Sequence, residues 1–169
     1  DEFDSLGCTY ILVEDKHGYL LGGLRMMPMT GPTLLEKQWP HLLPKGTNLR
    51  LPDTWEITRL CVEADDSGLE LAVRGSKAGI LLAYAAVAHA RESGIAHYIA
   101  VCERRFYQMM NTYGGDTELL AQAPDGVCGE IFCCRWTIGD RIMRAVAGVH
   151  RNVTGGGDDW AIPAERDAA

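Results

Sequence analysis

Glu56 and Arg59 lie inside Trp55 to Val62, a run that otherwise reads as a strand, and Arg25 falls near the end of a second such run, Tyr19 to Met27. Asp1 and Asp4 bracket Phe3 at the start of the chain. Charged side chains inside strands are costly unless paired or exposed. Two arrangements meet that condition. One is a solvated face with an incidental ion pair. The other is a polar cleft at a sheet edge, with acids for an amine and arginines for a carboxylate. The pattern by itself leaves both open.

The elements that would position these groups follow from periodicity and turn chemistry. Thr9 to Val13 is β-rich, Asp15-Lys16-His17-Gly18 is a turn, and Tyr19 to Met27 completes a hairpin. Thr33 to Leu43 carries apolar residues at 34, 35, 39, 42 and 43, which suits a short helix that Pro40 breaks. Strict alternation over Trp55–Val62 puts Trp55, Ile57, Arg59 and Cys61 on one face and Glu56, Thr58, Leu60 and Val62 on the other. Ser76 is an N-cap for a helix to about Glu92 that is apolar nearly all round and therefore buried. Ala96 to Cys102 is a buried strand, and Arg104 to Tyr113 a helix ended by Gly114-Gly115. Thr117 to Gln122 and Glu130 to Thr137 are strands, and Asp140 to Val149 is the last helix. Strand–helix–strand alternation after an antiparallel start predicts an α/β fold with helices covering a mixed sheet. Residues 1–152 form one domain, and 153–169, with three consecutive Gly, read as a disordered tail.

Composition narrows the function classes. The 169 residues are 47% hydrophobic and carry a net charge of −7. A chain this acidic is a poor general binder of nucleic acid, whose affinity rests on neutralising phosphates. The longest apolar run, Ala78 to Ala88, is too short for the roughly 20 residues of a membrane span. Of the six cysteines, Cys61, Cys102, Cys133 and Cys134 sit in apolar strand-like runs, where a free thiol packs as a small hydrophobe. No CxxC occurs and the five His show no ligand spacing, so no metal site is expected, and the thiols suit a reducing cytoplasm. There is no GxSxG, no phosphate loop and no GxGxxG. The first residue is Asp1 rather than Met, which suggests that a segment upstream is lacking.

Four motifs in order carry a resemblance. They are Asp1-Glu2-Phe3-Asp4 with Tyr10-Ile11, Gly22-Gly23-Leu24-Arg25-Met26-Met27-Pro28, Thr30-Gly31-Pro32 with Leu34-Leu35, and Trp55-Glu56-Ile57-Thr58-Arg59-Leu60. Together they resemble the acyl-homoserine-lactone synthases of the LuxI type. The resemblance implies a three-layer α-β-α sandwich with a mixed twisted sheet, similar to GNAT acyltransferases. It implies joining of an acyl group, from acyl-carrier protein or coenzyme A, to S-adenosylmethionine, which lactonises and releases methylthioadenosine. The product is a quorum-sensing signal, and adenosylmethionine is a substrate, so no cofactor is implied. Met26-Met27 replaces the usual Leu-Leu and Leu60 the commoner Phe, both conservative in volume. The family also has an upstream aromatic segment that closes over adenosylmethionine and is not in this chain.

The resemblance assigns roles residue by residue. Glu56 matches the glutamate often given as the base for the adenosylmethionine amine, with Arg59 as the second catalytic residue. Asp1, Asp4, Arg25 and Arg59 match the adenosylmethionine pocket, where the arginines either grip the carboxylate or hold the acids in place. Met27, Trp55, Ile57, Ala100, Cys102, Phe106, Met109 and Met110 either line the acyl slot or pack the core. Ile99 to Cys102 offers no Thr of the kind that accompanies 3-oxo chains, which leans towards an unsubstituted acyl group. Ser76 with Arg74 and Lys77 suits a pantetheine phosphate or a plain N-cap, and Arg104 and Arg105 suit an acidic carrier or solvent. The alternative is a GNAT-like N-acyltransferase using acyl-CoA on another amine. Its loop, [RQ]-x-x-G-x-[GA], meets Arg74-Gly75-Ser76-Lys77-Ala78-Gly79, with Lys77 where the first Gly belongs. A non-catalytic binding module would have lost the charged set, which is present.

Overall fold

Asp15 and Gly18 set the first turn. Asp15 Oδ1 accepts the main-chain N–H of His17 at 2.8 Å and of Tyr19 at 2.9 Å, and Gly18 takes a φ of 84°. In this computed structural model, which describes residues 2–4, 7–63, 77–112 and 116–154, that turn folds β1 (Thr9–Glu14) against β2 (Leu20–Pro28). β2 pairs antiparallel with β3 (Thr54–Val62). β3 pairs in parallel with β4 (His97–Glu103), which requires a crossover, and α2 (Lys77–Glu92) lies in that connection. β4 then pairs antiparallel with β6 (Gly129–Thr137), which carries β5 (Asp116–Asp125) on its far side. The sheet order is β1-β2-β3-β4-β6-β5.

Helices cover both faces. α2, α3 (Arg104–Thr112) and α4 (Asp140–Thr154) lie on one, over a core that includes Leu24, Met26, Leu82, Tyr98, Ala100, Phe132 and Trp136. Tyr107 of α3 stacks on Phe132 at 5.2 Å, and Phe106 meets Trp136 edge-on at 6.3 Å. Val87 of α2 packs on Ile142 and Val146 of α4. The other face is covered by α1 (Leu34–Gln38) and a 3₁₀ turn (Pro40–Leu42), with Met29, Leu35, Leu42, Leu49, Ile99, Ile131 and Cys133 between. A Cβ on Gly22 would stand 2.9 Å from the Cys61 carbonyl oxygen and 3.2 Å from Leu82 Cδ1. The bare Gly therefore lets α2 seat closely on β2.

The expected elements are present, and Pro40 breaks Thr33–Leu43 as expected, leaving α1 and a separate 3₁₀ turn. Three points differ from the expectation. The last helix continues past Val149 to Thr154. Cys61 is exposed rather than packed, whereas Cys133 and Cys134 are buried as expected. The alternation of β3 also fails beyond Thr58, for a reason that lies in the site. Ser76, Arg74, the Gly114-Gly115 stop and the tail from 155 onward lie outside the described residues.

Candidate functional site

α1 is five residues long, too short to hold together on propensity alone. The N–H groups of its first four residues are each claimed by a specific oxygen. Thr33, extended at φ −123°, accepts the Glu36 N–H on its hydroxyl at 3.1 Å, and Glu36 Oε2 accepts the Thr33 N–H at 3.3 Å. This reciprocal capping box accounts for one end of the turn. The next two donors, the N–H groups of Leu34 and Leu35, point at Glu56: Leu34 to Oε2 at 2.8 Å and Leu35 to Oε1 at 2.7 Å.

Glu56 is 1% exposed. Burial pushes its pKa above the usual glutamate value, because a buried carboxylate loses hydration. The Leu34 and Leu35 N–H groups and the Arg25 charge pull the other way without cancelling that rise. A carboxylate so placed is a stronger base than one in bulk water.

Two residues on, Thr58 shares the Glu56 face of β3. Directly opposite Thr58 stands Arg25 of β2, itself opposite Tyr10 of β1. Arg25 is fully buried. Its Nε donates to Thr58 Oγ1 at 3.0 Å and its Nη1 to Asp4 Oδ1 at 2.8 Å. The Tyr10 hydroxyl donates to the same Asp4 oxygen. Phe3, also buried, has the Arg25 guanidinium 5.6 Å and the Lys37 ammonium 5.7 Å from its ring centre. Lys37 pairs with Glu2. The segment Glu2–Asp4 is thus pinned to both β2 and α1. Asp1 lies outside the described residues.

Arg59 breaks the strand. It has a φ of 54°, the sole positive value at a non-glycine among the described residues. Gly23 faces Cys61 and Arg25 faces Thr58, so Arg59 and Leu60 together stand opposite Leu24. That is a β-bulge, with two residues against one. It reverses the alternation: Leu60 and Val62 pack into the α2-side core, not on the Glu56 face as strict alternation requires. Arg59 itself is exposed.

β3 and β4 pair over three positions only, from Thr54↔His97 to Glu56↔Ile99. From Ile57 and Ala100 onward the strands no longer pair, so Glu56 stands at the apex of a wedge between them. Trp55, Ile57, Cys102, Phe106 and Met110 pack partly buried beside buried Ala100 on the α2 side of this wedge. Met27 does not join them. It faces Glu56 across β2–β3 and so lies on the opposite side of the sheet. Met109 is buried on α3. Arg104 pairs with Glu130.

The motifs contain Phe3, Tyr10 and Thr58 but assign them no role, and Lys37 lies outside every motif. Two signals were available: Thr58 is the period-two neighbour of Glu56, and Thr33-x-x-Glu36 is a capping-box pattern. Nothing local marks the pairing of Lys37 with Phe3, which depends on tertiary approach.

A family model described as autoinducer synthase matches residues 1–131. An acyl-homoserine-lactone synthase of Rhizobium etli is 36% identical over 54 residues, 32% of this chain and 26% of that protein. One of Agrobacterium fabrum is 28% identical over 120 residues, 68% of this chain and 54% of that protein. The chain thus spans between a quarter and about half of the length of these curated relatives. Among solved structures, BjaI, a CoA-dependent acyl-homoserine lactone synthase with SAM and isopentyl-CoA, aligns with a TM-score of 0.70 at 22% identity, covering 91% of this chain and 68% of that one. A putative N-acetyltransferase from Lactobacillus plantarum aligns at 0.51 and 18% identity, over 82% and 75%. The fold is that of these synthases, with a GNAT-like sheet.

Proposed function

The chain belongs to the autoinducer synthase family, and on that footing we propose that it makes an N-acyl-homoserine lactone from S-adenosylmethionine and an acyl thioester. The observation that carries this reading is the position of Glu56: a buried carboxylate at the apex of the β3–β4 wedge, on the same face as the Arg25–Asp4–Thr58 cluster.

The steps follow from that arrangement. The ammonium of adenosylmethionine loses a proton to Glu56, directly or through one water. The free amine attacks the thioester carbonyl in the wedge, and main-chain N–H groups on the unpaired strand edges stabilise the oxyanion. The thiol leaves and the amide forms. The carboxylate oxygen of the acylated adenosylmethionine then attacks the carbon bearing the sulfonium, which closes the lactone and expels methylthioadenosine. The leaving group is neutral, so positioning supplies most of this second step.

Asp4 offers negative charge to the ammonium and sulfonium. Arg25, fully buried and committed to Asp4 and Thr58, serves by holding the acids in place rather than by gripping substrate. Arg59, exposed at the bulge one residue past the Arg25–Thr58 rung with Leu60 between it and Cys61, is the arginine assigned here to the substrate carboxylate. Trp55, Ile57, Ala100, Cys102, Phe106 and Met110 form the acyl slot. The donor is acyl-CoA or acyl-carrier protein, and the CoA-dependent relative with SAM and isopentyl-CoA supports the first. No cofactor takes part. The enzyme is cytoplasmic in this reading; among the described residues no helix is long and apolar enough to cross a membrane.

The test is incubation of the full-length protein with adenosylmethionine and a panel of acyl-CoA and acyl-carrier thioesters. Equal release of free thiol and methylthioadenosine with at least one donor is expected. Absence of both with every donor overturns the reading, and thiol release on another amine alone would favour a general N-acyltransferase.

A further inference from the structure

We propose that Arg50 is a positioning residue for Glu56, acting through the capping box that begins α1. Arg50 lies outside every motif described above. Its Nη2 donates to both carboxylate oxygens of Glu36, at 2.7 and 2.9 Å. Its Nη1 donates to the carbonyl oxygens of Thr30 and Gly31, at 3.2 and 3.0 Å. The Arg50 main-chain N–H is itself fixed by Asn48 Oδ1 at 3.0 Å. One guanidinium therefore ties the Thr30–Gly31 loop to the Glu36 side chain, a forked geometry that lysine cannot reproduce.

The Glu36 side chain is also half of the capping box with Thr33. That box sets where α1 starts, and hence where the Leu34 and Leu35 N–H groups point. Hydrogen bonds link Arg50 to Glu36 and Glu36 to Thr33, and the main chain carries that anchoring from Thr33 into Leu34 and Leu35, whose N–H groups reach Glu56. An exposed ion pair by itself contributes little to stability. The value of this one lies in what it aims.

A second link is electrostatic. The charged and titratable groups that act on Glu56 are Arg25 of β2, Glu36 of α1 and the Cys133 thiol of β6. Burial pushes Cys133 up to about 12, so it stays neutral. Glu36 opposes ionisation of Glu56, and Arg50 offsets that charge. Loss of Arg50 therefore loosens the two donors and uncovers a like charge. Both changes favour the protonated form of Glu56.

The proposal shares its site with the acyl-transfer reading and depends on that reading only for its effect on rate. The experiment is a carbon-13 carboxyl titration of Glu56 in the full-length protein, with amide exchange at Leu34 and Leu35. Arg50→Ala should raise the Glu56 midpoint by about half a pKa unit or more and speed both amides about tenfold. Arg50→Lys should bring the midpoint back towards wild type while the amides stay fast. An unchanged midpoint with unchanged exchange in Arg50→Ala overturns the proposal. In turnover, the acidic limb of the Arg50→Ala pH profile should move up with the midpoint, whereas a merely structural role would lower the active fraction and leave the profile in place. A wild-type protein that releases no methylthioadenosine would defeat the acyl-transfer reading, and the titration would still decide the role of Arg50.

Discussion

The main-chain N–H of Leu35 donates to Glu56 Oε1 at 2.7 Å, and through that bond a five-residue helix is fastened to one of the two central strands of the sheet. The same carboxylate sits at the last rung of the β3–β4 pair. One side chain thus holds the cover of one face and marks the opening of the wedge.

Burial and hydrogen bonding compete for the Glu56 proton, and burial wins. The folded chain therefore holds that proton more tightly than the unfolded chain does. Its contribution to stability is complete below the ordinary value of 4.5 and is lost as pH rises through the elevated value. Urea unfolding from about pH 4 to 8 should show stability falling with pH in that window. Glu56→Gln should flatten this component while costing about 1–3 kcal/mol for a misfitted partner to the Leu34 and Leu35 N–H groups. Retention of the full slope in Glu56→Gln would assign it to another group.

At position 59 the usual ranking of residues should invert. In an ordinary strand Gly is less stable than Ala by roughly 0.5–1 kcal/mol. With φ at 54° the left-handed cost of roughly 1–2 kcal/mol falls on Ala and spares Gly. Thermal or denaturant unfolding should therefore find Arg59→Gly more stable than Arg59→Ala, although both lower turnover. Ala more stable than Gly would contradict the bulge.

Arg25→Lys keeps the charge but cannot reach Thr58 and Asp4 as a fork. The KM for adenosylmethionine should rise about tenfold or more, a loss of at least about 1.4 kcal/mol. Thr58→Val removes only the acceptor for Arg25 Nε and should cost about 1.5–3 kcal/mol of folding stability. If both variants bind adenosylmethionine like wild type, the cluster is structural alone.

The two sides of the sheet make a contrast for chain-length selection. Met110→Ala enlarges the proposed α2-side slot and should shift the lactone profile to longer acyl groups, read by mass spectrometry. Met27→Ala, on the other side, should leave the profile unchanged even though it costs about 2–5 kcal/mol as a cavity in a buried site. A shift with Met27→Ala and none with Met110→Ala would put the slot on the wrong side.

Much of this was legible in the residues themselves. Turn chemistry at Asp15–Gly18 and the apolar run of α2 mark their elements because local rules govern both. The charged residues at 25, 56 and 59 stand out because strands tolerate charge poorly. Alternation misplaced Leu60 and Val62, since one residue in a left-handed conformation shifts every later side chain to the other face. Side-chain chemistry groups Met27 with Ile57, whereas register separates them. The partnership of Glu56 with α1 joins residues more than twenty positions apart, and no local pattern encodes it.

In the proposed mechanism Glu56 takes the proton from the amine before acyl transfer. Single-turnover thiol release by the full-length protein across pH tests it most directly. Wild type should rise through a midpoint above the ordinary glutamate range, and Glu56→Gln should lose that limb with a fall of about 10²–10⁴ in rate. A Glu56→Gln variant that keeps both the wild-type rate and the wild-type profile would contradict the account.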